Sequence, residues 1–270
     1  MNIGRRLPNL WVLVALLLLA AGCTTRELTL PKNLEPTDPA PILSAIGENN
    51  ARLKSLAVTG KAAIQGESRL VYGARVLAGH GVVLEIDAGP LLKPILTLAC
   101  AFGSGCDIYV VDEKTLYRED DRLQPLIETL LTGRVEIGDG DIRAWRFGED
   151  KVNLRVEGGG RYMVAVVGED GLTEELYYGD TGARPSAGVL FGDRFEVEGG
   201  GWYPESVTLL DEDGDERLTL EPGRVIRLNE GENSVFALRF PPGVKIQEGG
   251  AERILNRIGL STKELSEKSN

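Results

Sequence analysis

From residue 57 onward the chain is built from short runs in which apolar and polar positions alternate. Val82, Leu84 and Ile86 interleave with Val83, Glu85 and Asp87; Leu96, Leu98 and Cys100 follow, then Ile108 and Val110. The same period returns at Val152, Leu154 and Val156, at Val207 and Leu209, at Leu218 and Leu220, and at Phe236, Leu238 and Phe240. Successive strand side chains point to opposite faces, so a period of two predicts antiparallel sheet with one apolar and one wet face. Glu169-Asp170-Gly171 and Asp213-Gly214 supply turns between runs, and the glycine clusters at 158–160 and 199–201 supply further breaks. About a dozen strands are predicted.

Three stretches follow a helical period instead. Ile42, Ile46, Asn49 and Leu53 share one face, flanked by Leu43 and Leu56. Leu123, Leu126, Ile127, Leu130 and Leu131 form an apolar stripe that Gly133 stops. Residues 251–258, with Ile254, Leu255 and Ile258, predict a terminal helix before a polar tail over 259–270. A single sheet with one apolar face must roll up or be covered. The predicted fold is mainly β (α+β): one curved antiparallel sheet forming a half-open barrel, helices over its concave side, and an apolar space between. Alternation assigns Leu84, Ile86, Leu96, Leu98, Leu154, Phe236 and Leu238 to the lining of that space. Leu126, Ile127 and Leu130 fall on the covering lid helix.

The N-terminus changes the picture. Arg5 and Arg6 precede an apolar run over 10–21, which closes in Leu19-Ala20-Ala21-Gly22-Cys23. A positive start, a short apolar core and small residues at the cut mark a secretory signal. An uncleaved anchor helix is the alternative, but the run is short for a span. A cysteine at the first mature position makes the site a lipobox, although Ala20 stands where a larger aliphatic residue is usual. Residues 1–22 are then the signal peptide and Cys23 carries the lipid. Two or more acyl chains, at about 0.8 kcal/mol per buried methylene, anchor stably. Residues 23–41 read as a tether stiffened by Pro31, Pro36, Pro39 and Pro41, about 50–60 Å long when stretched. Residues 42–258 form the domain.

Composition then removes function classes. The chain holds 41 acidic and 30 basic residues, a net charge of −11. Arg5 and Arg6 leave with the signal, so the mature domain is more acidic still. This argues against nucleic acid and against electrostatic docking on anionic lipid. Beyond Cys23 there are two cysteines, Cys100 and Cys106, separated by five residues. In an oxidising compartment they predict a hairpin disulfide; buried free thiols are the alternative, and the spacing is not the redox CxxC. His80 is the one histidine and no G-x-S-x-G elbow is present, which leaves no basis for a triad hydrolase. The same shortage leaves no zinc set, and no cofactor motif appears. Asp211-Glu212-Asp213-Gly214-Asp215-Glu216 imitates part of a calcium loop, but Pro222 stands where the bidentate Glu is required, so a hairpin turn is predicted.

Several motifs in order resemble the LolA/LolB-like lipoprotein-localisation family, most nearly its lipid-anchored receptors. They are the lipobox and tether, the strand entry Leu56-Ala57-Val58-Thr59-Gly60, Leu130-Leu131-Thr132-Gly133-Arg134 after the inserted helix, Trp202-Tyr203-Pro204-Glu205, and Phe240-Pro241-Pro242-Gly243. The resemblance covers residues 40–248. It implies a non-enzymatic protein that binds acyl chains in an apolar cavity under a helical lid, takes lipoproteins from a periplasmic carrier protein and inserts them in the outer membrane. It implies a lipid-anchored domain facing the periplasm; Thr24, after the lipidated residue, does not resemble an inner-membrane retention signal. It also implies a membrane-probing loop, here Gly89-Pro90-Leu91-Leu92-Lys93-Pro94, with Leu91 and Leu92 either touching membrane or packed in the core. The disulfide pair is not part of the family pattern. A structural or assembly lipoprotein with a filled sheet is the alternative function.

Overall fold

The computed structural model describes residues 35–53, 55–64, 67–77, 81–88, 93–101, 105–119, 123–135, 137, 140–147, 150–168, 170–198, 200–228 and 242–250. The elements begin with β1 (Glu35–Thr37), α1 (Ala40–Arg52), β2 (Ser55–Ile64), β3 (Glu67–Leu77), β4 (Gly81–Ala88), β5 (Lys93–Ala101), β6 (Gly105–Val110) and β7 (Thr115–Glu119). After α2 (Leu123–Thr132) come β8 (Asp141–Phe147), β9 (Lys151–Gly158), β10 (Arg161–Gly168), β11 (Thr173–Asp180) and β12 (Ala187–Phe191). The series ends with β13 (Arg194–Glu196), β14 (Trp202–Pro204), β15 (Val207–Leu210), β16 (Glu216–Arg227) and β17 (Lys245–Glu248).

Fifteen of these strands form one open sheet in the order β1-β8-β9-β10-β11-β12-β15-β16-β2-β3-β4-β5-β6-β7-β17, and β13-β14 make a separate hairpin. The count exceeds the dozen predicted, because short edge and hairpin strands such as β1, β13 and β17 carry too few residues to show a period. Neighbours are antiparallel except β17, which runs parallel to β7. Strand β1 lies within the stretch the sequence assigns to the tether, and α1 starts at Ala40 with Pro41 in its first turn. Pairing of Glu35 with Arg146 ties this part of the stretch to β8.

The sheet curls. Helix α2 packs on β15 and also on β3, β4, β5 and β6. In a flat sheet β15 and β6 would stand about 29 Å apart, at about 4.8 Å per strand. A ten-residue helix is about 15 Å long, so the sheet must wrap around it. The concave face carries the main core: Val82, Leu84 and Ile86 of β4, Leu96 and Leu98 of β5, Leu154 of β9 and Leu218 and Leu220 of β16 join Ile42 and Ile46 of α1 and Ile127, Leu130 and Leu131 of α2. A second, smaller cluster lies on the convex face: Tyr162, Val164, Val166, Tyr177 and Leu210, with Leu190 against it. Alternation alone did not anticipate it.

Two turn predictions meet their geometry. The acidic run is the β15–β16 turn: Asp211 Oδ1 accepts the backbone N–H groups of Asp213 and Asp215, and Arg217 Nε donates to Oδ2 at 2.6 Å. Gly133 sits at φ +66°, where its N–H closes α2 on the Thr129 carbonyl. Cys100 and Cys106 face each other across β5 and β6 and form a disulfide. The predicted terminal helix at 251–258 lies outside the described residues.

Candidate functional site: the concave face and its helices

The register brings the predicted lining residues together in rows. Leu84 pairs with Leu98 and Ile86 with Leu96 across β4 and β5; Leu98 pairs in turn with Ile108 and Leu96 with Val110 on β6. All are buried on the concave side, as is Leu154 on the far half of the sheet. Ile127 and Leu130 are buried against them and Leu126 is half-buried. Phe236, Leu238, Leu91, Leu92 and Cys23 lie outside the described residues.

Helix α2 sits deeper than a surface lid. Its polar side is covered too: Glu128 is 6 % exposed, Thr129 4 % and Thr132 0 %. A helix enclosed on both sides must find partners for its polar groups. Thr132 Oγ1 donates to the Glu128 carbonyl at 2.6 Å. Thr129 hydrogen-bonds the Tyr178 hydroxyl; burial pushes that phenol up to about 12, and the Thr129 contact offsets part of the rise. Tyr203 donates its hydroxyl to the Leu131 carbonyl, one of the carbonyls that the end of a helix leaves open. Burial also raises the Tyr203 and Tyr72 phenols, and the two lie close enough to repel as anions.

The end of α2 is pinned from three directions. Tyr203 holds it from β14. Arg194 of β13 closes over Gly133 at the helix end, where a Cβ would meet its Nη1 at 3.3 Å; it donates Nη2 to the Thr173 carbonyl and stacks 5.2 Å from the centre of the Phe191 ring. Burial lowers its guanidinium to about 10, with Asp170 and Glu174 opposing the shift. Asn50 of α1 reaches the segment after α2: its Nδ2 donates to the Val135 carbonyl at 2.8 Å, and its Oδ1 accepts from the Val135 N–H at 3.3 Å. Helix α1 is seated in turn on the β10–β11 turn. Asn49 donates to the Asp170 carbonyl, and a Cβ on Gly171 would come within 2.4 Å of the Ala45 Cβ. The two helices are thus latched to each other and to the rim.

Sequence periodicity points to the two described helices and to the buried face of the strands, but not to these latches. A single buried Asn, Arg or Tyr has no period to reveal it. Trp202-Tyr203-Pro204-Glu205 stands out in the sequence as a motif, but nothing local in it reveals the role of its tyrosine. Among the described residues no group of three or more His, Cys, Asp or Glu stands together to hold a metal. No described helix is long and apolar enough to cross a membrane.

No family model matches the chain, and no curated protein matches it in sequence. Solved structures do match its fold. A LolA superfamily protein from Nitrosomonas europaea superposes with a TM-score of 0.54 at 13 % identity, over 75 % of this chain and 98 % of the other. An outer membrane lipoprotein-sorting protein domain from Vibrio parahaemolyticus gives 0.51 at 12 %, over 71 % and 95 %. A DUF1329 family protein from Desulfovibrio piger gives 0.50 at 12 %, over 74 % and 98 %. At these identities the likeness is one of architecture, and the chain has the LolA-like fold, an open curved sheet that holds helices in its concave face.

Proposed function

We propose that this chain is a lipid-anchored envelope protein that binds acyl chains on the concave face of its half-barrel and passes them, as lipoproteins or lipids, into the outer membrane. The observation that carries the reading is the apolar stripe of α2 enclosed by an open sheet. Leu126, Ile127, Leu130 and Leu131 occupy a concave apolar surface that the sheet's own strands do not close. Methylene groups of an acyl chain are chemically equivalent occupants. Exchanging one for the other trades apolar surface for apolar surface, at about 25 cal/mol per Å² on each side, so the balance is close. Such a protein needs no catalytic group and is not an enzyme; its work is done by differential binding. A periplasmic carrier protein is the donor this reading calls for.

Anchoring through Cys23 adds a geometric condition. The chain enters the sheet at Glu35, opposite Arg146 near the end of β8. Ala88 and Lys93, which flank the Leu91-Leu92 loop, pair at the opposite end of the strands. A strand of eight or nine residues spans about 27–30 Å, and residues 24–34 extend to about 36 Å. The length of that segment limits how far the domain can stand from the membrane that holds Cys23.

One observation favours the other reading, a scaffold lipoprotein: Leu84, Ile86, Leu96, Leu98 and Leu154 are all buried in one continuous cluster with both helices. Native mass spectrometry of the mature chain with Cys23→Ser, purified gently from cells, separates the two. A bound species of lipid or lipopeptide mass, displaced by an apolar fluorescent probe, supports the carrier. A clean apo mass with no probe uptake rejects it in favour of the scaffold.

A further inference from the structure

Helix α2 has two unlike sides, and both are enclosed. At 3.6 residues per turn Leu126, Ile127, Leu130 and Leu131 fall on one side, and Glu128, Thr129 and Thr132 on the other. The apolar side belongs to the same core as Leu84, Ile86, Leu96 and Leu98 of β4 and β5. The polar side is buried as deeply, and hydrogen bonds close it. Thr129 bonds the hydroxyl of Tyr178, which reaches in from β11 and packs against the main core. Thr132 Oγ1 donates to the Glu128 carbonyl, and Tyr203 of β14 donates to the Leu131 carbonyl. The concave face therefore offers carbon alone on one side of the helix and paired hydroxyls on the other.

We infer that this division limits the concave face to a single acyl chain, and that Thr129 and Tyr178 set the limit. The inference rests on the acyl-binding reading above and narrows it. The ligand is a lipid with one chain, a free fatty acid or a lysolipid, and not a lipid or lipopeptide that carries two or three. A chain laid along Leu126, Ile127 and Leu130 meets carbon on both sides and leaves every hydroxyl paired. A second chain has to lie on the other side of the helix. There it parts Thr129 from Tyr178 and leaves two buried hydroxyls without partners, which weakens binding about tenfold or more. Nor can the helix leave to make room, because its end is held at Leu131, Gly133 and Val135.

The test compares the mature chain (Cys23→Ser) with its Thr129→Val/Tyr178→Phe variant, which removes both partners of the bond and keeps their shapes. Competitors displace a fluorescent fatty acid. They are palmitate, palmitoyl-lysophosphatidylglycerol and dioctanoyl-phosphatidylglycerol; the last two carry the same acyl carbon in one chain and in two. The unsubstituted chain is expected to prefer the lysolipid to the dioctanoyl lipid at least about tenfold, and native mass spectrometry should count one palmitate per chain. The tighter of palmitate and the lysolipid tells a free fatty acid from a lysolipid. In the variant the dioctanoyl lipid is expected to gain about tenfold and palmitate to stay unchanged, which also shows that the variant is folded. Two palmitates on the unsubstituted chain, or equal affinity for the two phosphatidylglycerols, overturns the limit while the acyl-binding reading stands. A variant that binds palmitate but gains nothing for the dioctanoyl lipid overturns the role of Thr129 and Tyr178. Failure of the unsubstituted chain to bind any of the three overturns the acyl-binding reading, and the limit with it.

Discussion

The two halves of the sheet solve the same problem differently. In β3 to β6 the concave positions are buried and the convex ones carry Arg75, Glu85, Thr97 and Asp107, exposed or half-exposed. In β9 to β12 and β15 both faces are buried: Leu154, Ala165, Leu176 and Val189 inside, and Tyr162, Val164, Tyr177 and Leu210 outside. The first half is a one-sided sheet wrapped on α2. The second is a two-sided layer, its convex face shielded in part by long polar side chains such as Arg155, which lies 4.4 Å over the Tyr162 ring. Burial on both faces makes a strand intolerant at every position, whereas burial on one face spares every second residue.

The largest expected effect tests that difference directly. Val164→Asp puts a carboxylate into a position 3 % exposed on the convex face, and it should destabilise by about 3–5 kcal/mol. Arg75→Asp, on the convex face of the other half, should stay within about 0.5 kcal/mol. Urea unfolding of the two variants measures both. Equal costs would erase the distinction between the halves.

Next comes the helix that the first half encloses. Ile127→Ala should cost about 2–4 kcal/mol and leave a hole against β3 to β6. If α2 is an exchangeable occupant, the same variant takes up more of an apolar fluorescent probe than the parent chain. If it is a fixed part of the core, stability falls with no gain in uptake.

Much of this architecture was legible. A period of two is strong wherever one face is wet, so Leu84, Ile86, Leu96 and Leu98 could be placed from the sequence, and Leu123 to Leu131 showed an equally plain helical stripe. Leu154 was placed by the same rule even though its strand is buried on both faces. The convex cluster was not legible, because Tyr-Met-Val-Ala-Val-Val over 162–167 is nearly all apolar and hides which residues face which way. The polar latches stayed hidden for another reason. Asn50, Arg194 and Tyr203 gain their meaning from contacts across the fold, such as Asn50 to Val135, and local sequence does not encode those.

The disulfide sharpens the comparison from the first half. Cys100→Ala/Cys106→Ala releases a short loop between β5 and β6, worth about 2–2.5 kcal/mol in the chain-entropy model. The urea midpoint should fall accordingly with the fold retained, since the β5–β6 ladder remains. A collapse of the fold would mean that the one-sided half relies on the crosslink.

Alkali probes the tyrosines around α2. Tyr178 rises from 10 to about 12 on burial, with Tyr72 and Tyr203 raised in the same direction. A phenol with a raised folded-state pKa stays protonated in the folded chain while the unfolded chain ionises. Stability is therefore complete below pH 10 and is lost as pH rises from 10 toward 12, by up to about 1.4 kcal/mol per unit for Tyr178. Tyrosinate absorbance and urea midpoints, followed together across that window, should move in step. Ionisation of all seven tyrosines near pH 10 with no loss of stability would rule out this burial.

The smallest effect carries the opposite sign and comes from the two-sided half. Asn153 is 2 % exposed on the convex side of β9, opposite Val166 and Trp145, and neither atom of its amide has a hydrogen-bond partner. A buried amide with both groups unsatisfied costs about 1–3 kcal/mol against an apolar group of the same shape. Asn153→Leu should therefore raise stability by about 1–2 kcal/mol, continuing the apolar surface of Val164 and Val166. In the one-sided half a convex Asn would be hydrated, and the same exchange would gain nothing. A lower urea midpoint for Asn153→Leu would mean that the amide is paired in solution, and the convex face of this half would then be a polar contact surface and not a second core.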